Sequence, residues 1–311
     1  MPTPGSATSE SRPWWTGRLR RLGRQPAALA ALALVVGVGG LGAAAGAIAP
    51  HPYAAQHAES INAPPGDRFL LGTDGLGRDV LSRVLHGARI SLAVGLLSQV
   101  IVVAIGLPVA LAAGYLRGRV DAVLMQAVDV LLAIPDLLFV IVFTTLVNGL
   151  LDGARSGPIA WLGQANRETG GVLLIISVVG FTGWLALARV LRGQVLALAQ
   201  LDFVEGARAI GLGSPRIMAR HLLPNVVDTL IVTVTLGIPR AIFLEAALGF
   251  LGLGIQPPLP SWGTMIADGV QAMRFSPHVV LGPSVVLAVT MLAFNFLGDG
   301  LRDALDPRVP S

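Results

Sequence analysis

Long runs of apolar residues dominate the pattern of hydrophobic and polar positions along this chain. Each run is close to the roughly 20 residues that a helix needs to cross the hydrocarbon core of a bilayer. The pattern therefore predicts an all-α fold, a polytopic integral membrane protein with six transmembrane helices. The predicted spans are residues 27–49, 90–115, 120–147, 172–190, 225–250 and 279–299.

The first run has 23 residues without a charge, and Pro26 and Pro50 stand on either side of it. A cleaved signal peptide has an apolar stretch of about 7–15 residues, and a proline directly after the cleavage site is unfavourable. We therefore interpret residues 27–49 as a retained membrane anchor.

Composition agrees with this prediction and narrows the chemistry. Only 13% of the 311 residues are charged, against about 25% in a typical soluble protein. The chain has no cysteine, which excludes disulfides and thiolate chemistry, and all its basic residues are arginine. Without lysine it cannot form the phosphate-binding loop of an ATPase, which uses a lysine on the phosphates. We expect no catalytic residue, metal site or cofactor on this chain.

The distribution of the arginines predicts the orientation in the membrane. With the N-terminus in the cytoplasm, 14 of the 22 arginines lie in segments on the cytoplasmic side and seven on the outer side. Because segments rich in arginine stay in the cytoplasm, this arrangement is the favoured one. Both termini are then cytoplasmic, and so is the polar segment between the fourth and fifth spans.

That polar segment contains the sequence EGARAIGLGSPRIMARHLLPN. We predict a short helix at residues 203–210, with Asp202 as its N-cap and Gly211 as the left-handed residue that ends it. Ser214 is the predicted N-cap of a second short helix, with Pro215 in its first turn. Pro224 then begins the fifth span.

The first of these helices has two different faces. Phe203, Ala207 and Ile210 are predicted on one side, and Glu205 and Arg208 on the other. The helix suits either of two roles, a connector on lipid headgroups or a protrusion that fits a partner protein. Its local features favour the two roles about equally.

The spacing of the motif resembles a known family. Glu205, Ala207 and Gly211, followed after nine residues by HLLPN, are similar to the "EAA" loop of ABC-importer permeases. The ending, and the segments 71–92, 244–269 and 295–308, resemble the dipeptide, oligopeptide and nickel branch, in particular its second permease subunit. Gly206 departs from the motif, which has alanine there, and glycine weakens a helix by about 1 kcal/mol.

The resemblance implies the type I ABC-importer permease fold and a chain that transmits ATP-driven motion. It implies four kinds of partner: a homologous second permease, two ATPase subunits that bind ATP and Mg, an extracytoplasmic substrate-binding protein, and membrane lipid, with no nucleic acid. The residues expected to couple to the ATPase are Glu205, Gly206, Ala207, Arg208, Gly211, His221, Leu223, Pro224 and Asn225.

The resemblance also implies a place and an organisation. The chain is expected in the bacterial cytoplasmic membrane. The expected parts are a cytoplasmic segment 1–26, the first span 27–49, an extracytoplasmic loop 50–89 with an amphipathic helix, a permease core 90–300 that includes the coupling loop 193–224, and a cytoplasmic tail 301–311.

Four charged residues at membrane depth are candidates for the translocation path. Asp129 and Asp136 are seven residues apart and would share one face of a single helix, which Pro135 would kink. Arg240 and Glu245 lie in the fifth span. Charges are costly in a membrane and usually face a pore or a partner. Either they line a path for a zwitterionic peptide, or they form ion pairs that fix helix packing.

Two outer segments are predicted to lie at the membrane surface. Residues 77–89 form the pattern of an amphipathic helix, with Val80 and Val84 towards lipid and Arg78, Asp79 and Arg83 towards water. Residues 254–263 form a proline-rich loop whose Trp262 suits the interface. This loop is either a packed lid or a docking surface.

Three alternatives remain for the function. The first is the same kind of importer with nickel, haem or glutathione as its substrate. The second is an intramembrane enzyme, for which the spans offer no HExxH motif and no serine–histidine pair. The third is a channel or scaffold that works without an ATPase.

Overall fold

The computed structural model describes residues 21–305, so parts of the predicted segments 1–26 and 301–311 lie outside the described residues. Within this range the chain forms eleven α-helices and one short 3₁₀ turn, Ala58–Ser60. The helices are α1 (Pro26–Ala43), α2 (Ala45–Ile48), α3 (Val80–Leu116), α4 (Gly118–Leu132), α5 (Asp136–Gly153), α6 (Gly157–Glu168), α7 (Val172–Leu198), α8 (Asp202–Ala209), α9 (Ser214–Phe250), α10 (Trp262–Ala272) and α11 (His278–Leu305).

Six of these helices are long and apolar enough to cross a membrane: α1, α3, α5, α7, α9 and α11. The predicted number of spans is therefore confirmed for the described part of the chain, and the protein is a multi-pass membrane protein. Four predicted spans lie inside α3, α7, α9 and α11, and the first covers α1 and α2.

The centre of the bundle is the packing of α3 against α7. Glycines let the two backbones approach closely, as small residues commonly do between membrane helices. A Cβ atom at Gly180 would lie 2.7 Å from the Cβ of Ile101 and 2.9 Å from the carbonyl oxygen of Ser98. A Cβ at Gly114 would lie 2.6 Å from the Cβ of Val195. This contact admits no larger side chain.

The remaining spans surround this pair. Helix α9 packs on both α3 and α7, α11 packs on α9, and α1 packs on α11 and α3. At one end of the bundle, called here the α8 end, α8 lies beside the last turns of α3 and α7. At the other end, called the α10 end, α10 covers the first turns of α3 and α11.

Helix α3 differs from its prediction because it starts ten residues before the predicted span. A separate amphipathic helix at 77–89 is absent; instead, Asp79 caps a helix that runs unbroken to Leu116, with its carboxylate accepting from the Ser82 amide at 2.9 Å. The predicted orientation of this segment was also wrong. Arg78 and Arg83 are 7% and 3% exposed, so they are buried in protein and do not face water.

The third predicted span, 120–147, is not one helix. Helix α4 ends at Leu132 and α5 begins at Asp136, with Pro135 as its N-cap. A proline restricts the residue before it to extended conformations, so the chain breaks here instead of kinking. Asp129 and Asp136 therefore lie on different helices, and the prediction that they share one helical face was wrong.

A buried cluster of charges fixes the α10 end. The Nε atom of Arg78 lies 2.7 Å from Oδ2 of Asp74, and the Nε atom of Arg83 lies 3.6 Å from the same oxygen. Arg78 also contacts Asp268 of α10 through Nη2 at 3.3 Å. The cluster ties the segment before α3 to α10, which is why both arginines tolerate burial.

The loop before α10 is a packed lid. Trp262 is fully buried, its indole N–H donates to the Val84 carbonyl at 3.1 Å, and its amide donates to the Ser91 hydroxyl at 3.3 Å. The interfacial position predicted for this tryptophan was wrong, because α3 and the loop enclose the ring.

The packing of α3 against α7 gives a first testable prediction. Gly180→Ala should lower the free energy of unfolding by about 1–3 kcal/mol, because the added methyl group overpacks a closed contact. Gly193→Ala on the same helix is the control, since its Cβ has no atom within 4 Å. Thermal unfolding in detergent measures both, and equal stability of the two variants would contradict the packing.

The buried charge cluster gives a second prediction. Asp74→Asn should destabilise the protein by about 3–5 kcal/mol, because it leaves two buried guanidinium groups without their shared carboxylate. Glu59→Gln is the control, since it removes an exposed partner of Arg68. We expect no measurable change for this variant in the same unfolding experiment; a similar loss in both would argue against a buried network.

Candidate coupling surface and membrane cavity

Helix α8 ends as the sequence predicts. Gly211 has φ +79°, a left-handed conformation that L side chains adopt only with strain. Its amide donates to the Arg208 carbonyl at 2.9 Å, and the Leu212 amide donates to the Ala207 carbonyl at 3.1 Å. These two bonds form a Schellman motif, which satisfies carbonyls that the helix end would otherwise leave free.

The N-cap of each helix lies one residue before the predicted one. Leu201 is the N-cap of α8 and Gly213 that of α9, and neither Asp202 nor Ser214 makes a capping hydrogen bond. The Leu201 carbonyl accepts from the Val204 amide at 2.9 Å, so the chain is already turning before Asp202. Asp202 instead lies in the first helical turn, where a negative charge favours the helix dipole.

The buried face of α8 also differs from the prediction. Val204 and Ala207 are buried against a core that includes Tyr115 and Leu222, whereas Phe203 is 41% exposed and Ile210 is 76% exposed. The two buried residues are three apart, so they form one helical stripe. The predicted face of Phe203, Ala207 and Ile210 was therefore wrong, because only Ala207 of these three is anchored.

The exposed surface of this loop combines apolar side chains with charged ones, among them Asp202, Glu205 and Arg208. We name one part of it the α8 patch and define it by Leu201, Phe203, Glu205, Gly206 and Ile210. All five residues are exposed, and an added Cβ at Gly206 would have no atom within 4 Å. The glycine is therefore not required by packing within the described chain. Without a side chain, it leaves the backbone exposed at this point of the surface.

Arg208 is held against α3. Its Nε atom donates to the Tyr115 hydroxyl at 3.2 Å, and its guanidinium carbon lies 4.9 Å from the centre of the Tyr115 ring. A guanidinium over an aromatic face is attracted by the ring quadrupole. The arginine thus attaches α8 to the last turn of α3.

The start of α9 is a continuous helix with one wide turn. Residues Met218–Leu222 form a π-helical segment, in which the Leu223 amide donates to the Met218 carbonyl. Pro224 has no N–H to offer to a regular helical bond, and a wider turn before it accommodates that gap. Asn225 donates from Nδ2 to the His221 carbonyl at 2.7 Å. The second short helix predicted before Pro224 is therefore the first turn of α9.

Three aspartate–arginine pairs connect α4 and α5 to α7 and α9 in the described part of the chain. Asp121 accepts two hydrogen bonds from Arg192 of α7, and Asp129 pairs with Arg189 of the same helix. Asp136 at the start of α5 pairs with Arg240 of α9. Each arginine comes from another helix, so the sequence spacing that suggested a shared face did not reveal its partners.

A cavity of about 310 Å³ lies between α3, α7 and α9. Its lining is mainly aliphatic, with Gln99, Thr233 and Arg240 as polar members. Small-molecule sites have this composition, an apolar wall with few polar groups, and volumes of about 300–1,000 Å³. Of the four path candidates, only Arg240 lines the cavity. Asp136 forms an ion pair with Arg240.

Glu245 lies in a different environment. It is fully buried between α3 and the start of α10, and the Ser91 hydroxyl donates to its Oε2 at 3.0 Å. It is not among the residues that line the cavity. Within residues 21–305, no group of three or more His, Asp or Glu side chains is placed to hold a metal ion.

Sequence reasoning missed several residues that the site uses. Tyr115 is 93 residues from Arg208 in the sequence, and Gln99 lines the cavity from a different helix than Arg240. Only Val204 had a local signal, because its spacing of three residues from Ala207 marks one helical face.

Six spans, a cavity between them and an exposed helix at one end define a polytopic transport protein. The family described as "Binding-protein-dependent transport system inner membrane component" matches residues 106–310. This match covers more than half of the chain, and the chain belongs to this family.

Several curated relatives are similar over most of their length. The dipeptide transport system permease protein DppC of Bacillus subtilis is 38% identical over 292 residues, 93% of this chain and 84% of that protein. The oligopeptide permease OppC of the same organism is 36% identical over 83% of this chain and 78% of its own length. The glutathione permease GsiD of Pectobacterium atrosepticum is 39% identical, with coverages of 84% and 80%.

A solved structure supports the fold. An inward-facing structure of the MetNI methionine ABC transporter contains a chain with a TM-score of 0.54 to this one and 18% sequence identity. The similarity covers 72% of this chain and 96% of that chain. The predicted type I importer fold is thereby confirmed.

The two glycines of α8 give a third prediction, measured by hydrogen exchange of the loop amides. Gly206→Ala should raise the free energy of local opening of α8 by about 1 kcal/mol. Alanine is the better helix former, and a Cβ at this position meets no neighbouring atom. Gly211→Ala should weaken protection by roughly 1–2 kcal/mol, because alanine is strained in the left-handed conformation. Protection of α8 by both substitutions would contradict the geometry of its C-terminus.

Proposed function

We propose that this chain is the membrane-spanning permease subunit of an ATP-driven importer and that it moves small peptides. The α8 patch is the observation that carries the proposal. Exposed apolar side chains on a short helix, anchored by Val204, Ala207 and Arg208, are suited to burial in a groove of a partner protein. The partner would be an ATPase subunit, which supplies the lysine-dependent nucleotide chemistry that this chain lacks.

The anchoring of α8 supports a mechanical role. Its buried residues share one core with Tyr115 of α3 and Leu222 of α9. A force applied at the patch would therefore act on two spans at once. Helix α9 continues without a break from this core to Arg240 beside the cavity, so it provides a direct connection between the α8 end and membrane depth.

The remaining coupling residues support the same role. Gly211 sets the turn after α8, and Leu223, Pro224 and Asn225 set the wide turn at the start of α9, with His221 contributing its carbonyl. Glu205 is exposed on the patch, where a complementary positive charge of the ATPase would meet it. These residues position the surface; none of them performs chemistry.

The proposed complex contains this chain and three other kinds of protein. A homologous permease completes the path, two ATPase subunits bind ATP and Mg at the α8 end, and a substrate-binding protein delivers the peptide at the α10 end. The α8 end and both termini then lie in the cytoplasm of a bacterium, as the arginine distribution favours. Lipid surrounds the exposed apolar faces of the spans.

Peptides are the proposed substrate because of the relatives. Those named for oligopeptide and dipeptide transport are about as similar to this chain as the one named for glutathione, which is itself a small peptide. Glutathione therefore remains the second candidate substrate.

Substitution on the α8 patch provides the fourth prediction. Ile210→Ser should lower the amount of ATPase that co-purifies with the permease, because it removes the most exposed apolar side chain of the patch. Glu205→Lys should abolish substrate-stimulated ATP hydrolysis in the reconstituted transporter while membrane insertion stays intact. Both effects are measured on the complete complex with its binding protein.

A matched control distinguishes specific docking from non-specific hydrophobic association. Ile61 is 53% exposed in the segment before α3, at the α10 end, and Ile61→Ser removes the same kind of side chain. This variant should bind the ATPase as the unmodified protein does. Normal ATPase binding and coupling in both patch variants would exclude α8 as the docking site, and uptake without any ATPase would favour a channel.

A further inference from the structure

We propose that Asp136 and Arg240 form a binding site for the charged termini of a zwitterionic peptide: Arg240 binds the carboxylate, and Asp136 binds the ammonium group. The inference rests on the proposed function, since it names the substrate groups that the path of this importer recognises. Arg240 lines the cavity between α3, α7 and α9, and Asp136 forms an ion pair with Arg240 from the start of α5.

The cavity explains why Arg240 has a role beyond packing. Its other lining residues are mostly aliphatic, and the other polar lining residues, Gln99 and Thr233, are neutral. Arg240 is thus the one ionised group among the residues that line this space. An intramembrane charge of this kind usually marks a substrate pathway, and its pairing with Asp136 keeps it neutralised when the cavity is empty.

The geometry of the pair leaves Oδ1 of Asp136 without a hydrogen bond to Arg240. Nε and Nη2 of Arg240 lie 3.1 and 2.7 Å from the same oxygen, Oδ2 of Asp136, so the two groups do not form the parallel two-oxygen arrangement. Both side chains are 39% exposed, which leaves part of each surface open to a ligand.

A second pair in the same bundle shows the contrast. Asp121 accepts from Nε of Arg192 on Oδ1 and from Nη2 on Oδ2, which uses both carboxylate oxygens. Its side chain is 16% exposed, and neither residue lines the cavity. This pair has the geometry of a fixed clamp between α4 and α7, whereas the Asp136–Arg240 pair has that of an exchangeable contact.

A zwitterion satisfies both members of the pair when it separates them. Its carboxylate matches the planar fork of the arginine, and its ammonium group donates to the aspartate. The exchange keeps the total charge of the site at zero, so no unpaired charge is left at membrane depth. Because Asp136 begins α5 and Arg240 lies on α9, binding of this kind would remove an ion pair between these two helices.

The fifth prediction concerns equilibrium binding of radiolabelled dialanine to the purified transporter complex without its binding protein. The unmodified complex should bind dialanine, and it should bind the acetylated and amidated form at least about tenfold more weakly, because charge-assisted hydrogen bonds are lost. Arg240→Gln and Asp136→Asn should each lose this preference. The double variant retains hydrogen-bonding side chains at both positions and should bind the two peptides equally.

Arg189→Gln is the matched control, because it removes another aspartate-paired guanidinium, which is 53% exposed against 39% for Arg240 and does not line the cavity. It should keep the preference for the zwitterion. Absence of dialanine binding to the unmodified complex, or an unchanged preference in Arg240→Gln, would overturn the inference. Uptake and ATP hydrolysis with the binding protein present test the proposed function separately, because they can persist when this preference is absent.

Discussion

The close contact between α3 and α7 is the constraint on which the rest of the bundle depends. In a bilayer the lipid chains are as apolar as the side chains, so helices associate through tight packing and not through exclusion of water. Gly114 and Gly180 provide that packing by admitting a neighbouring backbone. Because α3 has 37 residues, about 55 Å at 1.5 Å per residue, it also reaches both ends of the bundle. The lid at the α10 end and the anchor of α8 are both attached to it.

Pairing of charge is the second constraint, since an isolated charge in the membrane costs several kcal/mol. An arginine of α7 or α9 pairs with each of Asp121, Asp129 and Asp136, and the two arginines before and within α3 share Asp74. These pairs have different geometries, and the differences matter for function. A two-oxygen clamp holds helices together, whereas a half-exposed pair beside a cavity can exchange its partner for a ligand.

Helix α9 connects the two functional regions. It begins beside α8 with a wide turn that Pro224 requires, and about 16 residues later it carries Arg240 into the cavity wall. The core that anchors α8 and the cavity at membrane depth thus both contact the same helix. Gly206 does not take part in this connection, because a Cβ there would have no atom within 4 Å in the described chain.

The sequence by itself determined the number of spans, the end of α8 at Gly211 and the family, because run length, glycine conformation and motif spacing are local properties. It did not determine which face of α8 is buried, since Val204 gains its place only from contact with α3, α7 and α9. It also misplaced Arg78 and Arg83 in water and put Asp129 and Asp136 on one helix. The tertiary structure decided these points, because the partner of a charge or a buried side chain lies on another helix, at a distance in sequence that no periodicity encodes.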